Sequence, residues 1–450
     1  MRHRLVDVAV PGWVDPASAA RTLLAGEPNA VFLDSGIHAD SGMSVIAVGS
    51  RHVTADVGGS TITVDGVTTP GSILDFLRGE LDDLTAEPGT GFRLGWVGWL
   101  GYGLGDETLG RRTTRHSDHP DASLLFIDRA VIFDHRAHSI SLVALDSTGT
   151  QQDLWRSRTE AALRSEPIAT GQPATKTVAT WHTSDADYLE QIAECQRHIA
   201  DGDAYQLCLT TEVNVATNVD PLETYLALRQ SSPSHHGAYF AAGGVALLSA
   251  SPEQFLAVSP GGVVESKPIK GTRPRGATAE ADEALKAELL ASGKERAENL
   301  MIVDLMRNDI GRVSEIGSVE VPSLLAVESY RHVHQLVSTI RGRLRPGLTA
   351  IDAVQACFPA GSMTGAPKYG AVAILEGLEQ RARGLYSGAF GYFGLDGRVD
   401  LSVIIRSIVL DAAGATIGAG GGITALSVAA EELAEVKLKA AALLAVLGAG

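Results

Sequence analysis

Cysteine is nearly absent: Cys195, Cys208 and Cys357 are the three in 450 residues, far apart and without a CxxC pair. So odd and scattered a set excludes a disulfide framework and points to a reducing compartment. Cations are also in short supply, 37 Lys and Arg against 53 Asp and Glu, for a formal net charge of −16. Such a surface repels polyphosphate and anionic lipid, which puts nucleic-acid and membrane-surface roles far behind. Long apolar runs are missing too. Ala440 to Gly450 is too short to span a bilayer, and Asp7 breaks the N-terminal run that a signal peptide would need. No fixed-period repeat or low-complexity tract stands out. The expectation is a cytoplasmic chain of two or three domains, or one large composite, with any anionic substrate held by a local exception to the field.

What is present is organised in two halves. Up to Leu145, short β-rich runs alternate with Gly, Asp and Pro turns: Ala30–Asp34, Ser44–Val48, Gly95–Leu100, Leu124–Phe133 and Ser139–Leu145. Ser147 to Thr180 reads as a joint around one helix near Trp155–Arg164. This divides the chain into a β-rich subdomain, 1–165, and a second domain, 180–450. Ser184 to Asp187 fits a capping box for a helix whose face carries Tyr188, Ile192, Cys195 and Ile199, closed by Gly202. Strands are predicted at Tyr205–Val213, Ala238–Phe240, Val245–Ala250, Val333–Arg343, Gly388–Phe393, Leu401–Leu410 and Ala415–Gly418. Helices are predicted over Ala279–Asn308, interrupted near Gly293, and over Ala429–Leu447. Hairpins and helices without regular βαβ alternation make the fold class α+β.

Several segments could carry chemistry. On the last helix Glu432, Glu435 and Lys439 share one stripe, which fits either a solvated face with an internal ion pair or part of a hard-cation site. Lys294 to Arg312 interleaves charged and apolar residues so that some charge must be buried or paired, and Glu298 is best placed to complete a metal site. Ser266 to Gly276 gathers Lys267, Lys270, Arg273 and Arg275 in a shaped loop. Ile269 suggests that Lys270 is partly buried, and neighbouring cations would then lower its pKa towards that of a nucleophile. Gly361 to Lys368 reads as a turn feeding a helix, a natural anion site. Gly418 to Gly422 offers unobstructed backbone N–H groups. His332 and His334 lack a third ligand for zinc.

Five stretches together resemble the chorismate-utilising enzymes: Pro268 to Gly276, Arg296 to Asp309, His334 to Ile340, Phe358 to Lys368 and Gly384 to Gly388. The resemblance is dense from Ser184 to Gly448 and loose before that. It implies the fold of anthranilate synthase component I, with β-sheets packed together and helices outside, and makes 180–450 the chorismate-binding catalytic domain. Lys270 stands where the family members that form 4-amino-4-deoxychorismate carry lysine. The implied reaction takes chorismate and ammonia to that product for para-aminobenzoate and folate, through attack of Lys270 on C2 and addition of ammonia at C4. Glu253 would assist the departing hydroxyl. Glu298, Glu432 and Glu435 would hold Mg2+ against the ring carboxylate. Tyr386 and Arg406, with the backbone at Gly420 and Gly421, would hold the enolpyruvyl carboxylate. Thr272, His334, Ser362 and Thr364 would line the ring, with Lys439 near the metal. Gln206 replaces the water-activating lysine of isochorismate and salicylate synthases. Because no cysteine sits in a nucleophile-elbow context, ammonia would come from a separate glutamine amidotransferase subunit. Leu33-Asp34-Ser35 loosely matches a tryptophan site of some relatives. The alternatives are an anthranilate synthase component I and a chorismate-binding subunit without catalysis.

Overall fold

The computed structural model describes residues 2–37, 39–112, 115–146, 150–165 and 177–449. Two twelve-stranded antiparallel sheets dominate it. Sheet I runs from Ile269–Pro274 through Val333–Arg343, Val263–Lys267, Gln254–Val258, Val399–Val403 and Ala389–Gly394 to Gly95–Leu100, Ala122–Ile127 and Arg51–Asp56. Sheet II runs from Ala179–Trp181 through Gln206–Val215, Gly414–Ile423, Ser407–Asp411, Val245–Ser251 and His236–Ala242 to Ala30–Asp34, Met43–Val48 and Arg129–Asp134. One apolar core unites side chains of both sheets. Trp99 of sheet I meets Phe240 of sheet II edge-on at 5.2 Å, and Phe240 meets Phe390 at 5.8 Å. A second core joins sheet II to the helices Asp185–Asp201, Pro221–Ser231 and Ala429–Val446. The strand Gln206–Val215 shows why both can exist: Cys208 belongs to the first core, while Leu207, Leu209 and Val213 belong to the second. This is the α+β arrangement of sheets and outer helices that the sequence implied.

The sequence boundary between 1–165 and 180–450 is not a boundary in the sheets. Ala30–Asp34 pairs with His236–Ala242, and Gly95–Leu100 pairs with Ala389–Gly394. Of the joint, 147–149 and 166–176 lie outside the described residues, and Thr150–Leu163 is helical.

Local signals placed most elements. Ser184 accepts the Asp187 N–H to open the helix Asp185–Asp201, and Gly202 closes it at φ 86°. Ser292 separates Ala279–Ala291 from Gly293–Gly311 and accepts the Glu295 N–H. Two expected single strands are instead pairs. Leu124–Phe133 breaks into Ala122–Ile127 in sheet I and Arg129–Asp134 in sheet II, and Leu401–Leu410 breaks into Val399–Val403 and Ser407–Asp411. Both runs are buried on either side of the break, so hydropathy marks no boundary; the second crossing turns at Arg406, with φ 52°. The expected loop around Lys270 is the strand Ile269–Pro274. Among the described residues no helix is long and apolar enough to cross a membrane.

Candidate active site

Lys270 is aimed by a bulge. Ile269 faces Val337 and Thr272 faces Gln335, so three steps on one strand match two on the other. The extra residue falls at Lys270-Gly271, where Gly271 adopts φ 82°. A Cβ on Gly271 would lie 2.7 Å from Glu295 Cδ and 2.8 Å from Leu289 Cδ1. Glycine is therefore required on two counts, backbone and space. Gly271→Ala is expected to cost about 1–3 kcal/mol of stability and to lower turnover more than substrate affinity, read by thermal melts and steady-state rates. Unchanged kinetics would show that Lys270 is aimed without the bulge.

The electrostatics of Lys270 differ from the expectation. Burial pushes its ammonium pKa down, but Glu298, Cys208, Glu253 and Glu435 together outweigh that, and the net shift is upward. The cations thought to lower it are each neutralised. Lys267 pairs with Glu328 at 3.1 Å, Arg273 with Glu295 at 2.9 Å, and Arg275 with Asp282 at 2.7 Å. Lys270 thus rests as a charged partner of carboxylates rather than as a free amine.

Glu253 is buried, and burial pushes its carboxyl pKa up against the opposing pull of Lys270, a Ser362 hydrogen bond and the Ile269 N–H. Ser362 lies in the short turn Gly361–Met363, and Thr364 just after it donates to Gly361 O at 3.2 Å. Opposite, the helices Gly293–Gly311 and Ala429–Val446 are joined by Lys294 Nζ on Glu432 Oε1 at 2.5 Å. Glu432 is buried and also accepts from Ser427 at 2.7 Å. Glu298, one turn from Lys294, is buried, its Oε1 without a hydrogen bond and 4.0 Å from Lys294 Nζ. Its pKa is pushed up by burial, against Lys270 and Lys294 and with Glu432 and Glu435 adding to the rise. Glu435 is more exposed and pairs with Lys439 at 2.8 Å; Lys439 also donates to Gly420 O at 2.8 Å. A Cβ on Gly421 would lie 3.3 Å from Glu432 Oε2, so the bare glycine leaves room beside that carboxylate.

The three glutamates fit a hard divalent ion in donor chemistry, and the Glu298 Oε1 makes no hydrogen bond that a cation would have to displace. In geometry they do not close into a cage: among the described residues no three His, Cys, Asp or Glu side chains are gathered to hold a metal. Lys294 and Lys439 compensate the carboxylates instead. Sequence reasoning gave Lys294 no role, although its i,i+4 spacing to Glu298 was a usable signal.

The remaining residues divide. Gln206 is fully buried, both amide atoms lack partners, and its Nε2 sits 2.4 Å from where a Gly422 Cβ would be. Tyr386 lies flat over Gly418, whose Cβ would be 2.0 Å from the ring. Arg406 has Tyr386 and Glu435 as electrostatic neighbours. Two residues point elsewhere. Thr272 is exposed on its strand, and both ring nitrogens of buried His334 are taken, by Ser329 at 2.8 Å and Asp282 at 2.9 Å. Asp34 is committed to Arg229 at 2.5 Å and Tyr225 at 3.0 Å, and Ser35 donates to Met43 O. A cleft of about 1300 Å³ is lined mainly by first-half residues such as Asp56 and Asp106 and contains none of this set; another of about 710 Å³ reaches the set at Tyr386 and Gly418.

Comparison with known proteins identifies the family. The aminodeoxychorismate synthase of Streptomyces pristinaespiralis is 44% identical over 417 residues, 88% of this chain and 58% of that protein. The chain thus spans little more than half the length of that relative. Anthranilate synthase component 1 of Mycolicibacterium smegmatis is 36% identical over 487 residues, 99% of this chain and 91% of that one. The crystal structure of anthranilate synthase component I from Streptococcus pneumoniae superposes with a TM-score of 0.76 at 29% identity, covering 88% of this chain and 92% of that one. The chorismate binding enzymes as a family match residues 31–445. That match covers most of the sequence, and the chain belongs to the family of chorismate binding enzymes.

Proposed function

We propose that the chain aminates chorismate at C4 to give 4-amino-4-deoxychorismate, the precursor of para-aminobenzoate and folate, in the cytoplasm. The observation that carries this reading is Lys270 itself, set in a bulge and electrostatically coupled to Glu253 and Glu298. Relatives at 44% and 42% identity that are named aminodeoxychorismate synthase support it.

Lys270 and Glu253 act on each other electrostatically, and both are pushed up. Transfer from the Lys270 ammonium to the Glu253 carboxylate converts an ion pair into a neutral pair, arming a nucleophile and an acid in one step. The free amine then attacks C2, the ring double bond shifts, and the C4 hydroxyl leaves as water with the proton from Glu253. Ammonia adds at C4, the double bond shifts back, and the Lys270 amine is expelled and reprotonated. The balance is chorismate plus ammonia to aminodeoxychorismate plus water. Glu298, Glu432 and Glu435 would hold magnesium, which would neutralise the ring carboxylate. Tyr386, Arg406 and the Gly420–Gly421 backbone orient the enolpyruvyl group, and Gln206 presents an amide that cannot activate water as a lysine would.

Ammonia must be supplied. All three cysteines are buried, and burial raises the Cys195 and Cys357 thiols to about 12 and Cys208 as well. None is a thiolate nucleophile at neutral pH. With chorismate and magnesium, the chain is expected to turn over with ammonium salts, faster at raised pH where more is present as ammonia, and not with glutamine until an amidotransferase is added. Glutamine-dependent turnover by the chain alone would contradict this.

A second reading is favoured by coverage, since the chain spans 91% of the smegmatis anthranilate synthase component and only 58% of the Streptomyces aminodeoxychorismate synthase. Product identity decides: anthranilate from chorismate and ammonium would establish the second reading. Binding without turnover would mark a non-catalytic subunit.

A further inference from the structure

The two halves of the site come from different elements, Lys270 from the bulged strand and Glu298 from the helix Gly293–Gly311. Asn299, next to Glu298, joins them. It is fully buried. Its Nδ2 reaches Pro268 O and Leu336 O, each at 3.4 Å, and its Oδ1 accepts from Ser338 Oγ at 2.5 Å. Ser338, also fully buried, donates its own N–H to Pro268 O at 3.2 Å and accepts the Leu325 N–H at 2.9 Å. The carbonyl two residues before Lys270 is thereby fastened from both sides.

That placement has a physical purpose. Regular ladder bonds fix a strand residue, but Pro268 has no N–H and the ladder slips between Ile269 and Thr272. Asparagine inside a helix is a weak helix former, and a buried amide is costly unless its donors and acceptor are used. An apolar residue would suit the helix better; the amide is the part that can hold the Lys270 strand. We infer that Asn299, anchored by Ser338, is a positioning residue that sets Lys270 against Glu298 and Glu253. This rests on the reading of Lys270 as the nucleophile.

The test uses the full chain. Asn299→Leu keeps bulk and removes every bond to Pro268, Leu336 and Ser338. A displacement near 1 Å is expected to lower kcat by about a hundredfold, with the chorismate KM changed by less than about threefold if ground-state binding is untouched. The rate at which chorismate, without ammonia, forms an adduct on Lys270, read by peptide mass spectrometry, is expected to fall in proportion. Ile302→Val, a buried apolar trim on the same helix that removes no hydrogen bond to Pro268, controls for stability: it lowers the melting temperature but leaves the adduct rate unchanged. If Asn299→Leu fails to fold, Ser338→Ala, which leaves Asn299 in place without its anchor, is expected to show the same kcat-selective loss in weaker form. Wild-type kcat in the variant that folds, equal losses in kcat and KM, or an equal loss in Ile302→Val would overturn the inference. Failure of the underlying reading looks different: the wild-type chain would aminate chorismate without any adduct. In that event the kcat split still decides whether Asn299 positions the site.

Discussion

Lys270→Ala is expected to lower 4-amino-4-deoxychorismate formation by at least about a thousandfold, because loss of a covalent nucleophile removes a step rather than an interaction. Chorismate should still bind, since Tyr386, Arg406 and the glycine strand, proposed to hold its carboxylate, are untouched. On the proposed mechanism the vacated space lies at C2, so residual turnover should shift towards the anthranilate-type product. With magnesium and no ammonia, the wild-type chain should carry a substrate-derived adduct on Lys270 that peptide mass spectrometry can locate. If Lys270 only bound a carboxylate or the leaving hydroxyl, Lys270→Arg would keep much of the activity and no adduct would form. Substantial C4 amination by both variants would refute the covalent role. Coupling between Lys270 and Glu253 adds a further constraint. Glu253→Gln leaves no acid for the departing hydroxyl and should slow adduct formation itself, not only its breakdown.

The second large effect concerns the cation. Glu298, Glu432 and Glu435 would face a dianionic substrate, and Lys294 and Lys439 offset only part of that charge. Turnover is therefore expected to stop in excess chelator and to return with magnesium. Glu435→Gln should lower it by at least about a hundredfold, while the fold survives, because the bond lost is an exposed pair with Lys439, worth at most about 1 kcal/mol. Binding of magnesium to the substrate-free chain, followed by calorimetry, should weaken in the same variant. Full activity in chelator would remove the metal from the mechanism.

Much of this was legible in the residues themselves. Helix ends were, because Ser184, Gly202 and Ser292 act locally. The ordered motifs that carry the candidate site residues were legible, and Glu253, Glu298 and Glu435 all act electrostatically on Lys270. Contacts across the sheets left no such mark. Leu124–Phe133 and Leu401–Leu410 hide strand breaks because both sides of each break are buried. The Lys270 segment passed for a loop because its proline and glycine serve a bulge. The direction of its pKa shift was not legible in the neighbouring residues. The cations adjacent in sequence are neutralised by partners from Asp282 to Glu328, while the carboxylates that matter come from distant elements. His334, paired with Asp282, could not be told from a substrate ligand by its position on a strand.

The interleaving of early and late strands has a consequence for synthesis. Gly95–Leu100, six buried residues, finds one neighbour in Ala122–Ile127 but the other only in Ala389–Gly394. Ala30–Asp34 likewise waits for His236–Ala242. At ordinary translation rates the first of these edges stays open on the ribosome for on the order of tens of seconds. An open, apolar strand edge is a template for any similar strand nearby. Aggregation of this protein is thus a hazard of the nascent chain, set by elongation speed and chaperone supply.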